Sequence, residues 1–167
     1  VRKCHIGLDF DKILRVGIEG ILKEIEECEA QNQSSASDDY YPDFEAVKRE
    51  EFYKCCKIEL EALLDLARRY SEKAEELAQC SDEKRKAELM RISDALKNVP
   101  YKPAETFFEA LQSIQFVLST LFGLFPLNRP DRYLIEYYES YYHQNPISGK
   151  KNHKKYRHPV CFLLQNH

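Results

Sequence analysis

A chain of 167 residues, 43% hydrophobic and 32% charged, has the balance of one folded domain or of one large piece of one, not of a disordered segment. Its net charge of −3 makes no electrostatic case for nucleic acid or for an anionic membrane as partner. Trp is absent, but 11 Tyr and 9 Phe supply large side chains for a core.

The chain opens Val1-Arg2-Lys3-Cys4 without an initiator Met, as a truncated or processed product would. Asp9, Asp11, Lys12 and Arg15 interrupt the first apolar stretch, so no signal peptide is read there and a cytoplasmic location is expected. The longest apolar run, Ile114 to Leu127, contains Gln115, Ser119 and Thr120 and falls short of the ~20 residues that span a bilayer; it reads as a buried helix. Cys4, Cys28, Cys55, Cys56, Cys80 and Cys161 form no CxxC pair, so reduced thiols are expected, with neither a disulfide framework nor a metal site.

In chain order, Phe10, Ile13, Leu14, Gly17, Ile18, Ile21, Leu22 and Ile25 recur at helical spacing, with Asp9 placed to cap the start and Lys12 as its N3 neighbour. Gly17 and Gly20 are poor helix formers and make sense where another backbone comes close. Asn32 to Asp39 reads as a polar loop. A long second helix opens at Pro42 or Asp43 and runs to about Cys80, its apolar face including Phe44, Val47, Phe52, Cys55, Ile58, Leu60, Leu63, Leu66, Tyr70, Ala74 and Leu77. Ser81 or Asp82 caps a third helix that places Ala87, Leu89, Met90, Ile92, Ala95 and Leu96 inward and stops at Asn98-Val99-Pro100.

Pro103 suits the first position of a fourth helix through Phe107, Leu111, Ile114, Val117, Leu118 and Leu121. Asp131 caps a short helix from Arg132 to about Tyr142, whose Tyr133, Tyr137, Tyr138, Tyr141 and Tyr142 read as packing side chains. Residues 143–167 form a polar, basic tail of uncertain structure, with a short strand expected over Pro159 to Leu164. His153 and His158 lack a carboxylate at metal-ligand spacing. Periodicity alone therefore gives a mainly α domain over residues 1–142. On local sequence alone, His5 is a polar residue before a helix start, and Arg129-Pro130-Asp131-Arg132 is a charged helix-capping turn.

Three segments, in order, resemble the glycyl radical enzymes of the pyruvate formate-lyase and diol or glycerol dehydratase family. His5-Ile6-Gly7-Leu8-Asp9-Phe10-Asp11-Lys12-Ile13-Leu14, with Gly17 and Gly20-Ile21, resembles their "GH…PDYEKVL…GL.GI". Pro100-Tyr101-Lys102-Pro103-Ala104-Glu105-Thr106-Phe107-Phe108-Glu109-Ala110-Leu111-Gln112 resembles "VPANPPETFHEALQ". Arg129-Pro130-Asp131-Arg132-Tyr133-Leu134, with Tyr137-Tyr138-Glu139, resembles "GRFDQYLYPYYEKD". The similarity covers Cys4 to Tyr142.

The resemblance implies that this is the helical part of a fold whose full-length form is a ten-stranded α/β barrel. It implies a glycyl radical, installed by a separate radical-SAM activase, that passes to a cysteine thiyl; the thiyl abstracts hydrogen from a small substrate and a C–C, C–O or C–N bond breaks. A homodimer is implied for the full-length enzyme. No "GCxEP"-like cysteine loop and no "RVxGY"-like glycine loop occurs in this chain, so no catalytic residue is assigned, no cofactor is expected on it, and it is expected to be inactive alone. His5 and Asp131 match positions that face substrate in dehydratase-type members, and Asp9 and Arg129 are assigned to the pocket structure. Formate C-acetyltransferase-type members carry Arg where His5 stands, so His5 points toward a dehydratase or related lyase. The alternative is a non-catalytic helical module that binds a partner through its apolar 114–127 segment.

Overall fold

The computed structural model describes residues 8–34, 44–120 and 130–144. They form five helices: α1 (Phe10–Ser34), α2 (Phe44–Gln79), α3 (Glu83–Asn98), α4 (Phe107–Thr120) and α5 (Pro130–Gln144). No strand occurs among the described residues, in keeping with the 3.6-residue periodicity of the sequence. The expected strand at Pro159 to Leu164 and the basic tail beyond Gln144 lie outside them.

α1 and α2 run antiparallel. Near the far end of α1, Asn32 donates to the Ala46 carbonyl and accepts from Arg49, while one helical turn back Glu29 pairs with Lys57. The first residues of the polar run Asn32 to Asp39 therefore continue the helix to Ser34, because Asn32 finds its partners on α2 rather than in a turn.

The α2–α3 hairpin closes along a stripe of small residues. Ala67, Ser71, Ala74 and Ala78 are the buried positions of α2, facing Leu89, Ser93 and Leu96 of α3. Within this seam the Ser71 and Ser93 hydroxyls lie 2.9 Å apart, Ser71 donates to the Ser93 carbonyl at 3.1 Å, and Ser93 reaches Glu75 at 2.9 Å. Small side chains let the two backbones approach, and the paired hydroxyls satisfy polar groups that the approach buries. The Lys97 ammonium, 2.6 Å from Glu75, and the Ser93 hydroxyl hold that carboxyl below its usual range.

Several expected inward positions face outward. Phe44 (73% exposed), Phe52 (63%) and Ile58 (65%), with Val47, Tyr70 and Leu77, lie on the surface of α2, and Met90 lies on that of α3. Cys55 and Ala87 are exposed too. Among the described residues the first half of α2 contacts α1 along one face, and its apolar stripe is wider than that face. The described part of the apolar run Ile114 to Leu127 is mostly buried, as its reading as a buried helix expects. Ile114, Phe116 and Val117 are buried in the bundle, α4 ends at Thr120, and residues 121–129 lie outside the described set.

Candidate functional site: two helix starts and a broken helix

The site begins with a discontinuity in α1. Asp9 caps the helix, its carboxylate accepting the Lys12 amide at 3.1 Å. One full turn beyond Ile13 the helix breaks at Gly17, whose φ of 66° and ψ of 176° belong to a region essentially reserved for glycine. The break leaves carbonyls of the leading segment, Phe10 to Val16, and amides of the following one without helical partners.

The segment from Val99 to Ala104 fills that gap as a strap. Ile18 donates to the Pro100 carbonyl and Glu19 to the Tyr101 carbonyl, each at 2.9 Å, and Ala104 donates to the Leu14 carbonyl at 2.9 Å. A Cβ on Gly17 would stand 2.4 Å from the Tyr101 oxygen and 2.6 Å from the Lys102 carbonyl carbon, so the backbones touch where a side chain would be. This is the close approach that the sequence called for at Gly17. Gly20 differs: its hypothetical Cβ meets the Val16 side chain of its own helix, not another backbone.

The strap also moves the start of the fourth helix. Pro103 lies within it, and α4 begins only at Phe107. Its start is a reciprocal capping box: the Thr106 hydroxyl accepts from the Glu109 amide at 3.1 Å, and the Glu109 carboxylate accepts from the Thr106 and Glu105 amides at 3.0 Å. Asp82 stands at the N-cap of α3 without a side-chain hydrogen bond, and Ser81 donates instead to the Leu77 carbonyl.

α5 packs chiefly on α4, and two side-chain contacts join it in parallel register to the leading segment of α1. The rings of Phe10 and Tyr133 are 5.8 Å apart, and one turn further along both helices the Tyr137 hydroxyl donates to the Leu14 carbonyl at 3.3 Å. Leu14 and Leu134, each 1% exposed, belong to the same core cluster. Burial, with Asp11 and Glu136 nearby, raises the Tyr137 phenol above its ordinary range and keeps the hydroxyl protonated as a donor. The other tyrosines of α5 also pack: Tyr138 and Tyr141 against Phe107, and Tyr142 on Tyr138.

The parallel register sets the helix starts side by side. Phe10 directly follows Asp9, and Tyr133 stands two residues after Asp131. Pro130, with its fixed φ, opens α5, so Asp131 is the second residue of the helix rather than its cap. His5 and Arg129 lie outside the described residues. Neither the strap, nor the Leu14 carbonyl as a shared acceptor, nor Tyr137 stood out in the sequence. Only Gly17 inside a helical pattern gave a signal.

The described glycines and cysteines lie on or beside the helices. Gly17 is sealed under the strap and Gly20 lies within α1. Cys28, Cys55, Cys56 and Cys80 are free thiols on the helices or just past α2, three of them exposed. No described helix is long and apolar enough to cross a membrane.

A model of the pyruvate formate lyase-like family matches residues 2–152, which is most of the chain. The chain belongs to this family, the glycyl radical enzymes. It is 32% identical over 146 residues to isethionate sulfite-lyase of Desulfovibrio desulfuricans, covering 85% of this chain and 17% of that protein. Among solved structures, it superposes on a protein described for 1,2-propanediol dehydration in Roseburia inulinivorans with a TM-score of 0.73 at 28% identity, over 84% of this chain and 18% of that one. The B12-independent glycerol dehydratase of Clostridium butyricum gives a TM-score of 0.70 at 33% identity, over 82% and 17%. The chain thus spans less than a fifth of these relatives, as a helical part of a family whose full-length fold is a barrel.

Proposed function

We propose that this chain supplies one wall of the substrate pocket of a glycyl radical dehydratase or related lyase. His5 and Asp131 meet the substrate, and Asp9 and Arg129 shape the two helix starts that carry them. The order of contacts between α1 and α5 supports the reading: Phe10 meets Tyr133 and, one turn on, Leu14 meets Tyr137. A neutral imidazole and a carboxylate suit hydrogen bonding to the hydroxyls of a small diol or hydroxy acid. The relatives named for dehydration of 1,2-propanediol and for glycerol favour this class over acetyl transfer.

In the complete enzyme a thiyl radical abstracts hydrogen from the substrate, and a radical-SAM activase installs the glycyl radical. The thiyl cysteine and the radical glycine belong to parts of the enzyme that this chain does not supply. The purified chain, given an activase and S-adenosylmethionine without oxygen, is expected to show no glycine-centred doublet in electron paramagnetic resonance and no turnover of glycerol or propane-1,2-diol. Appearance of the doublet would overturn the assignment of the radical residues to the rest of the enzyme.

The pocket geometry has its own test. With the native cysteines replaced by serine, spin labels at His5→Cys and Asp131→Cys are expected to report backbone positions within about 15 Å, a span that a small ligand and two side chains bridge. A separation beyond about 25 Å would remove both residues from a common pocket.

A further inference from the structure

We propose that Tyr137 is a positioning residue, which fixes the leading segment of α1 in register with α5 by bonding the carbonyl that the Gly17 break exposes. The inference rests on the pocket reading above and adds to it the part that sets the pocket's geometry. Three pieces of the fold meet at the Leu14 carbonyl. It closes the leading segment, it accepts the strap through the Ala104 amide at 2.9 Å, and it accepts α5 through the Tyr137 hydroxyl at 3.3 Å.

The second bond is not needed to satisfy the carbonyl, because Ala104 already does so. Its consequence is directional. The Phe10–Tyr133 contact is apolar on the Phe10 side and tilted at 35°, so it permits sliding and rotation. A hydrogen bond one turn away admits a single register. The leading segment has only the residues from Phe10 to Val16 before the break, and across the break the Lys12–Glu24 ion pair, half-exposed, ties it to the rest of α1. Asp11 and Arg15 on the leading segment, paired with each other, and Glu136 on α5 are the charged groups around the phenol.

The test compares Tyr137→Phe with the parent chain by nuclear magnetic resonance and hydrogen exchange. The ring and its burial stay, and only the hydroxyl is lost. The expected result is a chain with unchanged helix content in which the Phe10–Tyr133 ring cross-peak falls by at least half. Amides of the leading segment should exchange about fivefold faster, the scale of one lost hydrogen bond, while those of α2 and α3 keep their rates. An unchanged cross-peak with unchanged exchange would overturn the proposal, as would a uniform rise in exchange across all helices, which marks a purely global role. Tyr138→Phe, whose ring packs on Phe107 instead, serves as the matched control and should leave the leading segment undisturbed. Spin labels at His5→Cys and Asp131→Cys separate the two readings. A wide separation already in the parent, with the Tyr137→Phe effects present, overturns the pocket and keeps the register lock. A short separation that Tyr137→Phe leaves unbroadened overturns the lock and keeps the pocket.

Discussion

Gly17→Ala is expected to destabilise the chain by about 4 kcal/mol, read as a shift in the denaturant midpoint at unchanged slope. Two effects add. An L-residue at φ 66° and ψ 176° costs about 1–3 kcal/mol in backbone strain. The new Cβ would also lie 2.4 Å from the Tyr101 oxygen, a backbone atom that cannot rotate away. Relief requires the strap to retreat, and the strap holds three backbone hydrogen bonds to α1, each worth about 1 kcal/mol net. Gly20→Ala is the internal comparison. Its Cβ would lie 2.7 Å from the Val16 Cβ, which requires a small shift within the helix, but its φ is ordinary, no strap bond is at stake, and it gains about 1 kcal/mol of helix propensity. Its loss should be less than half that of Gly17→Ala. Equal losses at the two glycines would show that helix propensity and not the strap governs Gly17.

Phe10→Ala is expected to cost about 3–5 kcal/mol, the range for removing a buried aromatic ring. Phe10 is 2% exposed and belongs to the main core cluster with Leu14, Phe107 and Leu134. It is also the first residue of α1 and the ring that meets Tyr133. The cavity would therefore open at the point where the two helix starts join. Thermal unfolding should show the loss, and the leading segment should lose exchange protection before α2 and α3 do. By contrast Phe52→Ala, on the exposed face of α2, should change stability by less than about 0.5 kcal/mol. A loss below about 1 kcal/mol for Phe10→Ala would place the packing of α1 on α5 outside the stabilising core.

Local chemistry determined the helices. Apolar residues at helical spacing, Asp9 before the first of them and Val99-Pro100 after the third set the approximate bounds of α1, α2 and α3 without tertiary information. The Tyr stripe of α5 was legible as packing for the same reason, and three ordered motifs carried the family. The capping box of α4 was also written in the sequence, as Thr106 with Glu109 three residues on, but Pro103 offered an equally good local start. Local rules rank such signals; they do not say which one a neighbouring chain has already claimed. Pro103 and Ala104 lie in the strap outside the helix, and the Thr106–Glu109 box starts it at Phe107.

Tertiary structure alone decided the face of α2 and the site. Spacing marks a stripe as apolar but does not reveal whether a partner lies over it, and among the described residues Phe44, Phe52 and Ile58 stay exposed. In the same way, Gly17 announces that something approaches, but the approaching strap lies more than eighty residues along the chain. The Tyr137–Leu14 bond closes a still longer loop, its ends separated by 123 in sequence. Hydrogen bonds of that separation leave no periodicity behind, because each residue's own propensity is satisfied whether or not the distant partner arrives. What aligns the starts of α1 and α5 is the packing of Phe10 and Leu14 on Tyr133, Leu134 and Tyr137, and that alignment exists only once the chain has folded.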